Sequence, residues 1–265
     1  MIATPDTRAL WRIQNQGMAL TGQVAERGQT LLTLDAVLCL SGEPHLELNF
    51  AVVSGGDDAP ARTREFVSQV RERGHSAYLV ASEAVAPRVA PVARELGLEE
   101  EAPAPLMVRP GGSSAPPAPT RGRRTSATAD GRFRVEHART EETLRDLVFV
   151  TAEAFGVPLD QVARAIGPAT LELPGLDVFV GYDGDDAVSG ALIASVGGCT
   201  GLWDMATLPS RQGEGAGAAV FGHALAHLSA DTTLFYTTAS ESGRHLYERF
   251  GFTVVDMPPT WIVQS

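Results

Sequence analysis

The sequence predicts an α/β fold whose second half contains a mixed sheet. Apolar, strand-like segments alternate with amphipathic, helix-like segments along most of the 265 residues. Such alternation is typical of parallel sheets with right-handed crossovers. In the second half, however, residues 176–198 contain two apolar runs joined by an acidic turn with a glycine, which predicts an antiparallel hairpin. Parallel and antiparallel strands are therefore expected together.

The chain divides into two units at a segment of unusual composition. Residues 110–131 are rich in Pro, Gly, Ser and Thr and show no apolar periodicity. Such a segment buries too little surface to offset the entropy of ordering, so we predict a flexible linker. Three arginines within it leave an anion-binding tail as the alternative. The predicted units are residues 1–109, a smaller α/β domain, and residues 132–265.

Each unit has its own series of predicted elements. In the first, helices are expected at 8–26, 60–73 and 83–96, separated by strands at 30–40, 46–55, 75–82 and 104–110. In the second, Thr140 is the expected N-cap of a helix whose first turn carries two glutamates, which suit the positive end of a helix. After the hairpin, the expected order is a strand at 199–208, a glycine turn, a helix, a strand, a helix and a strand.

Composition excludes several classes of partner. A net charge of −11 and a pI near 5.0 disfavour nucleic acid and anionic membranes. Cys39 and Cys199 are too few for a disulfide framework and lack metal-ligand spacing. The sequence shows neither a secretion signal nor an apolar run of membrane-spanning length, so a cytoplasmic protein is expected.

A glycine-rich turn carries the clearest functional signal. The segment "LPSRQGEGAGAAVFGHAL", residues 208–225, places three glycines before an Ala-rich, helix-like run. The dinucleotide-binding fingerprint fails here because the position of its last glycine is Ala218 or Val220. The P-loop pattern fails because His223 stands where its lysine is required.

The turn and a second motif resemble one known family. The pattern Gln212-x-x-Gly215-x-Gly217 resembles the acetyl-CoA pyrophosphate loop of the GNAT acetyltransferase superfamily, and "HLYERFGF", residues 245–252, resembles its LYxxxGF signature. The resemblance covers residues 132–265. It implies a GNAT fold and an N-acetyltransferase that moves an acetyl group from acetyl-CoA directly to an amine of a small molecule or peptide. Homodimers are common in this superfamily.

The first unit resembles the degenerate amino-terminal half of tandem GNAT proteins. It has no turn like the one at 212–217, so this half is expected to lack a CoA site. We expect it to shape the acceptor pocket or an interface.

The resemblance also assigns roles to individual residues. The diphosphate of CoA is expected on the main chain of Gln212, Gly213, Glu214, Gly215, Ala216 and Gly217. The pantetheine arm is expected to pair with Ala206, Thr207 and Leu208. Tyr247 is the candidate proton donor to the departing thiolate, or a packing residue. Asp204 is the candidate base or substrate-orienting group, or a structural aspartate; strand alternation places it on one face with Ala206, and Trp203, Met205 and Thr207 on the other.

Several alternatives stay open at this point. A protein that keeps the loop but lacks a base would be a non-catalytic acyl-CoA sensor or regulator, and a third possibility is a scaffold. His223 and His227 are four apart on a helix, but no nearby carboxylate completes a metal motif, so we expect a packed or exposed pair and no metal. Trp203, Trp261 and Tyr182 line an acceptor pocket or belong to the core.

Overall fold

A computed structural model describes residues 6–112 and 132–265. The first unit contains three α-helices and six strands. They are α1 (Thr7–Thr21), β1 (Gln29–Leu32), β2 (Ala36–Leu40), β3 (Asn49–Val53), α2 (Ala59–Glu72), β4 (Ala77–Ala81), α3 (Ala86–Glu95), β5 (Glu99–Glu101) and β6 (Leu106–Pro110). The single strand predicted at 30–40 is a hairpin of β1 and β2, because the chain reverses around Leu34 and Asp35. The other predicted helices and strands of this unit are found within a few residues, and β5 adds a short strand that was not predicted.

The second unit contains four α-helices and seven strands. They are β7 (Phe133–His137), α4 (Glu141–Phe155), α5 (Leu159–Ala165), β8 (Leu176–Asp183), β9 (Asp186–Val196), β10 (Cys199–Thr207), α6 (Ala216–Leu228), β11 (Leu234–Thr238), α7 (Glu241–Arg249), β12 (Thr253–Asp256) and β13 (Thr260–Val263). Thr140 caps α4 as predicted, its hydroxyl accepting a hydrogen bond from the Thr143 N–H at 3.3 Å. No helix within residues 6–112 and 132–265 is long and apolar enough to cross a bilayer.

The two units exchange a strand. One sheet has the order β1-β2-β3-β4-β13-β5, and the other has the order β12-β6-β11-β10-β9-β8-β7. Strand β6 thus comes from the first unit but lies between two strands of the second, antiparallel to both. Strand β13 makes the reverse crossing, antiparallel to β4 and β5. Each sheet is therefore completed by a strand from the other unit.

The exchange bears on the predicted domain boundaries. The division into residues 1–109 and 132–265 stays a prediction. In the structure, each of the two sheets contains strands from both of these units. Most of the predicted linker, residues 113–131, lies outside the described residues. The short strand β13 was not predicted at all.

A shared core joins the two sheets. One cluster combines Leu10 and Trp11 of α1 with Val108 of β6 and Tyr236 of β11, all nearly or fully buried. Within this interface the Trp11 indole Nε1 donates a hydrogen bond of 2.5 Å to the buried Asp256 carboxylate. The first unit therefore packs directly against the β10–β11 region that carries the candidate site.

Candidate active site

Strands β10 and β11 are parallel neighbours that separate along their length. Their pairing covers Cys199–Gly201 and 234–236 only, although β10 continues to Thr207 and β11 to Thr238. Beyond the paired part, the Thr237 hydroxyl donates to the Leu202 carbonyl at 3.0 Å. The last residues of β10, up to Thr207, are paired with β9 on one edge, and their other edge is unpaired. The opening between this part of β10 and the end of β11 is called the fork below. Such an edge accepts an extended chain through main-chain hydrogen bonds.

The main chain in this part of β10 alternates in direction between β9 and the open edge. The Leu208 N–H donates to the Val188 carbonyl at 3.0 Å, which makes these two a hydrogen-bonded pair across β9 and β10. Because such pairs alternate in an antiparallel ladder, Ala206 also directs its main-chain groups at β9, and Thr207 directs its groups at the open fork. The pairing of the pantetheine arm with Ala206, Thr207 and Leu208 stays a prediction, and of these three it is Thr207 whose main-chain groups are directed away from β9.

A β-bulge interrupts β10 at Asp204. Trp203 pairs with Leu192 and Ala206 pairs with Gly190. An advance of three residues along β10 is therefore matched by an advance of two residues along β9. Trp203 and Ala206 consequently face the same side, and the predicted strict alternation is wrong because of the inserted residue. Asp204 has a φ of 45°, the one positive φ outside glycine in the described ranges. An aspartate held in this sparsely populated region is a recurrent feature of functional sites.

The environment of Asp204 alters its acidity. Its side chain is half-buried, and desolvation raises its pKa to about 6, with a further contribution from the negative charge of Glu47. Among the described residues, no hydrogen bond or ion pair holds this carboxylate. A carboxylate with a raised pKa is a stronger base than an ordinary aspartate and a candidate proton acceptor.

The glycine turn leads directly into α6. Gly213 and Gly215 have φ values of 78° and 99°, in the left-handed region, and Gly215 is the N-cap residue of the helix. No side chain caps this helix end. Apart from bonds within α6 itself, no hydrogen bond to another main-chain acceptor in the described ranges holds the N–H groups of residues 213–218. The sequence thus places a row of free N–H groups at the positive end of a helix, which favours an anion.

Gly217 has a different role from Gly215. A Cβ atom built at Gly217 would lie 3.0 Å from the Thr207 hydroxyl oxygen, so the glycine allows α6 to approach β10 closely. By contrast, a Cβ at Gly213 would meet nothing within 4 Å. The position of the missing Gly217 side chain therefore faces the sheet. Its main-chain N–H remains available at the turn.

An ion-pair network flanks the glycine turn, and sequence reasoning missed it. Arg132 contacts both Asp183 and Glu214 at 2.8 Å, and Arg211 forms ion pairs with the same two carboxylates. The hydrogen bond from Arg132, followed by that from Arg211, holds the pKa of Asp183 below its ordinary value. The arginines offset the charge of Glu214, which lies within the turn and would otherwise repel an anion.

Tyr247 lies on α7 in an aromatic cluster with Phe221, Phe250 and Phe252. Burial raises the pKa of its hydroxyl to about 12, and Thr237, at the β10–β11 fork, has a smaller opposing effect. The phenol therefore keeps its proton at neutral pH and can act as a donor. Its place beside the fork is compatible with both predicted roles, proton donor and packing residue.

The remaining candidates belong to packed regions. His223 and His227 stack against each other and surround the Phe179 ring, with His137 edge-on to His227. In the part of the chain that the structure describes, no three metal-ligating side chains are grouped. Tyr182 is buried and donates to the Asp146 carboxylate, and Trp261 of β13 is buried in the first sheet's core. Neither is at the fork.

Comparison with known proteins identifies the second half. The family model for the acetyltransferase (GNAT) domain matches residues 174–254, which include the fork, the glycine turn and α7. The chain contains a GNAT domain. No curated protein sequence matches the chain.

Solved structures extend the GNAT likeness over nearly the whole chain. A GCN5-related N-acetyltransferase from Kribbella flavida aligns with a TM-score of 0.64 at 17% identity, covering 98% of this chain and 95% of that one. A second GCN5-related N-acetyltransferase, from Sphaerobacter thermophilus, aligns with a TM-score of 0.57 at 14% identity, covering 88% of this chain and 83% of that one. A tandem GNAT protein from the clavulanic acid biosynthesis pathway aligns with a TM-score of 0.54 at 12% identity, covering 87% of this chain and 79% of that one. At these identities the likeness shows a shared GNAT fold, and the two-part architecture is consistent with a tandem arrangement.

The first unit of this GNAT-like chain holds a cavity that the sequence did not indicate. It measures about 510 Å³ and opens beside Ser54, Gly55 and Gly56, where β3 ends, and Glu83, where β4 ends. β3 and β4 are parallel and connected through α2, as β10 and β11 are through α6. Here, however, Asp57 and Asp58 stand at the helix entrance. These carboxylates disfavour a phosphate, whereas Arg8 and Arg88, which also line the cavity, carry the opposite charge. The expectation that this half lacks a CoA site stays a prediction.

Proposed function

We propose that the protein is an acetyl-CoA-dependent N-acetyltransferase that transfers the acetyl group directly to an amine of a small molecule or peptide. The observation that carries this proposal is the row of free N–H groups at 213–218 beside the unpaired edge of β10. An anion cradle next to an open strand edge suits a coenzyme with a diphosphate and an extended, amide-containing arm.

The residues of the turn would hold the coenzyme mainly through their main chain. The N–H groups of residues 213–218 would face the diphosphate, and Thr207 would pair with the pantetheine arm. Arg132 and Arg211 are positioned to exchange Asp183 and Glu214 for phosphate oxygens, since charge-assisted bonds form readily with either anion. Bound acetyl-CoA would supply the activated acetyl group.

Asp204 and Tyr247 have complementary protonation states for the transfer. The acceptor ammonium must lose a proton before its nitrogen can form a bond to the acetyl carbon, and the Asp204 carboxylate receives that proton. As the carbon–sulfur bond breaks, Tyr247 donates a proton to the sulfur and is reprotonated by the second proton of the amine. The overall reaction then releases one proton to water. The observations that support these roles are the position of Asp204 in the bulge of β10 and the burial of the Tyr247 phenol.

The proposal is tested by measuring thiol release from acetyl-CoA over a panel of amines. We expect release that depends on both the amine and the protein, with the acetylated amine identified by mass spectrometry. Tight CoA binding without turnover of any amine would contradict the enzyme and favour the acyl-CoA sensor. Absence of CoA binding would contradict both.

Replacement of Asp204 by asparagine is expected to lower kcat/KM for the amine by about 100-fold, the lower end of the usual contribution of a general base. In the wild type, kcat/KM should rise with pH through about 6, because only the ionised carboxylate accepts a proton. This acidic limb should disappear in Asp204→Asn, while CoA affinity stays unchanged. Asp185→Asn, on the exposed hairpin tip, is the matched control. A wild-type pH profile in the variant would exclude Asp204 as the base.

A further inference from the structure

An exposed apolar strand forms one edge of the first sheet. β1 pairs with β2 on one side, and among the described residues its other side has no partner strand. All four residues of β1 are exposed. Leu31 and Leu32 of this strand and Leu34 of the following turn are 37%, 44% and 67% exposed, which makes them three of the seven exposed large apolar side chains in the described ranges. Apolar side chains grouped on an open edge favour contact with another strand.

The open edge of β1 also presents main-chain hydrogen-bonding groups. The Thr33 N–H donates to the Ala36 carbonyl at 2.8 Å, which makes these two a hydrogen-bonded pair across β1 and β2. Because such pairs alternate in an antiparallel ladder, Leu31 also bonds to β2, whereas Thr30 and Leu32 direct their N–H and C=O groups away from it. Thr30 and Leu32 can therefore bond to a further strand.

Two other sheet edges carry charges that oppose such contact. β5, at the opposite edge of the same sheet, consists of the glutamates 99–101. β7, at an edge of the second sheet, contains Arg134 and Glu136. Residues 28–34, by contrast, contain no ionisable side chain. Because charged edge strands discourage association, an uncharged, leucine-containing edge in a chain of net charge −11 indicates a surface that accepts a partner strand.

The charges that flank β1 indicate what this partner is. Arg27 precedes the strand and Asp35 follows it. When two copies of β1 pair antiparallel, the start of each strand lies beside the end of the other, so unlike charges come together. A parallel pair would bring like charges together. The edge is therefore complementary to a second copy of itself in the antiparallel orientation.

We propose that the protein forms a two-fold symmetric dimer through antiparallel pairing of β1 with β1 of a second copy. Thr30 of each copy pairs with Leu32 of the other, which satisfies the outward N–H and C=O groups of both residues. The two-fold axis passes between the two copies of Leu31, whose Cα atoms face each other at about 4.5 Å as a non-hydrogen-bonded pair. The two first sheets join into one, and the fork, which belongs to the second sheet, takes no part in the contact.

Analytical ultracentrifugation of the full chain tests the dimer. We expect reversible association to about twice 28.0 kDa, with dissociation in the micromolar range because one strand pair is a small interface. Leu31→Glu would place two carboxylates opposite each other and should weaken the association at least about 100-fold. Leu159→Glu, at an exposed apolar position of α5, is the matched control and should associate like the wild type. A wild type that stays monomeric, or a Leu31→Glu dimer as tight as that of the wild type, would overturn the proposal.

A mixture of two variants tests the register of the pairing. Leu31→Arg alone should also stay monomeric at these concentrations, because like charges again face each other. An equimolar mixture of Leu31→Glu and Leu31→Arg should form dimers, since the two-fold axis places unlike charges side by side. Circular dichroism checks that each variant is folded. A mixture of folded variants that stays monomeric where the wild type dimerises would contradict the pairing of residue 31 with residue 31.

Discussion

Gly215→Asp is expected to weaken CoA binding by at least about 100-fold, equivalent to about 2.7 kcal/mol. The new carboxylate would lie at the helix entrance, beside the free N–H groups that we assign to the diphosphate. Two like charges about 4 Å apart repel by about 4 kcal/mol at an effective dielectric constant of about 20, which is more than enough for this loss. Calorimetric titration of CoA into each variant measures it.

Gly215→Asn provides the matched control for this substitution. Gly215 has a φ of 99°, so any side chain there strains the main chain, and Asn and Asp share that cost and nearly the same volume. Because the two variants differ only in charge, Gly215→Asn should bind CoA at least tenfold more tightly than Gly215→Asp. Equal affinities would attribute the loss to strain and would remove the support for a phosphate at this turn.

Residues 132–265 expressed alone are expected not to fold. Without β6, strands β11 and β12 lose the partner that lies between them. Leu106, Met107 and Val108 are 0%, 0% and 3% exposed, and burial of each such side chain contributes about 1.5–3 kcal/mol. Their sum is comparable to the whole stability of a typical domain, about 5–15 kcal/mol. Circular dichroism and thermal unfolding of the isolated fragment would show the absence of a cooperative transition.

Coexpression of residues 1–112 with residues 132–265 is the control for this prediction. Both exchanged strands are present in the pair, so the two fragments should purify as one complex and unfold cooperatively. Cooperative unfolding of the isolated 132–265 fragment, with CoA affinity like that of the full chain, would contradict the structural importance of the exchange.

The sequence was sufficient for elements that depend on local pattern. The period and caps of α4, the hairpin of β8 and β9, and the glycine turn before α6 all follow from short stretches of chain. The strand exchange could not be predicted in this way, because nothing within residues 106–110 or 260–263 specifies which sheet each segment joins. That choice depends on contacts between segments far apart in the chain.

Within the candidate site, the sequence predicted the glycine turn but not the bulge or the ion pairs that surround it. Glycines with positive φ mark a turn directly, whereas the bulge at Asp204 depends on pairing with β9 and left no local signal. Arg132 and Arg211 form a network with Asp183 and Glu214 only after three separate segments come together.

The central claim is that the turn at 212–217, in the second unit only, binds the diphosphate of CoA. Hydrogen exchange of main-chain amides, measured by mass spectrometry with and without CoA, tests it most directly. Slower exchange at 207 and 213–218, with no change at 55–59 beside the cavity of the first unit, is the predicted result. Binding of CoA with protection at 55–59 and none at 213–218 would contradict the account.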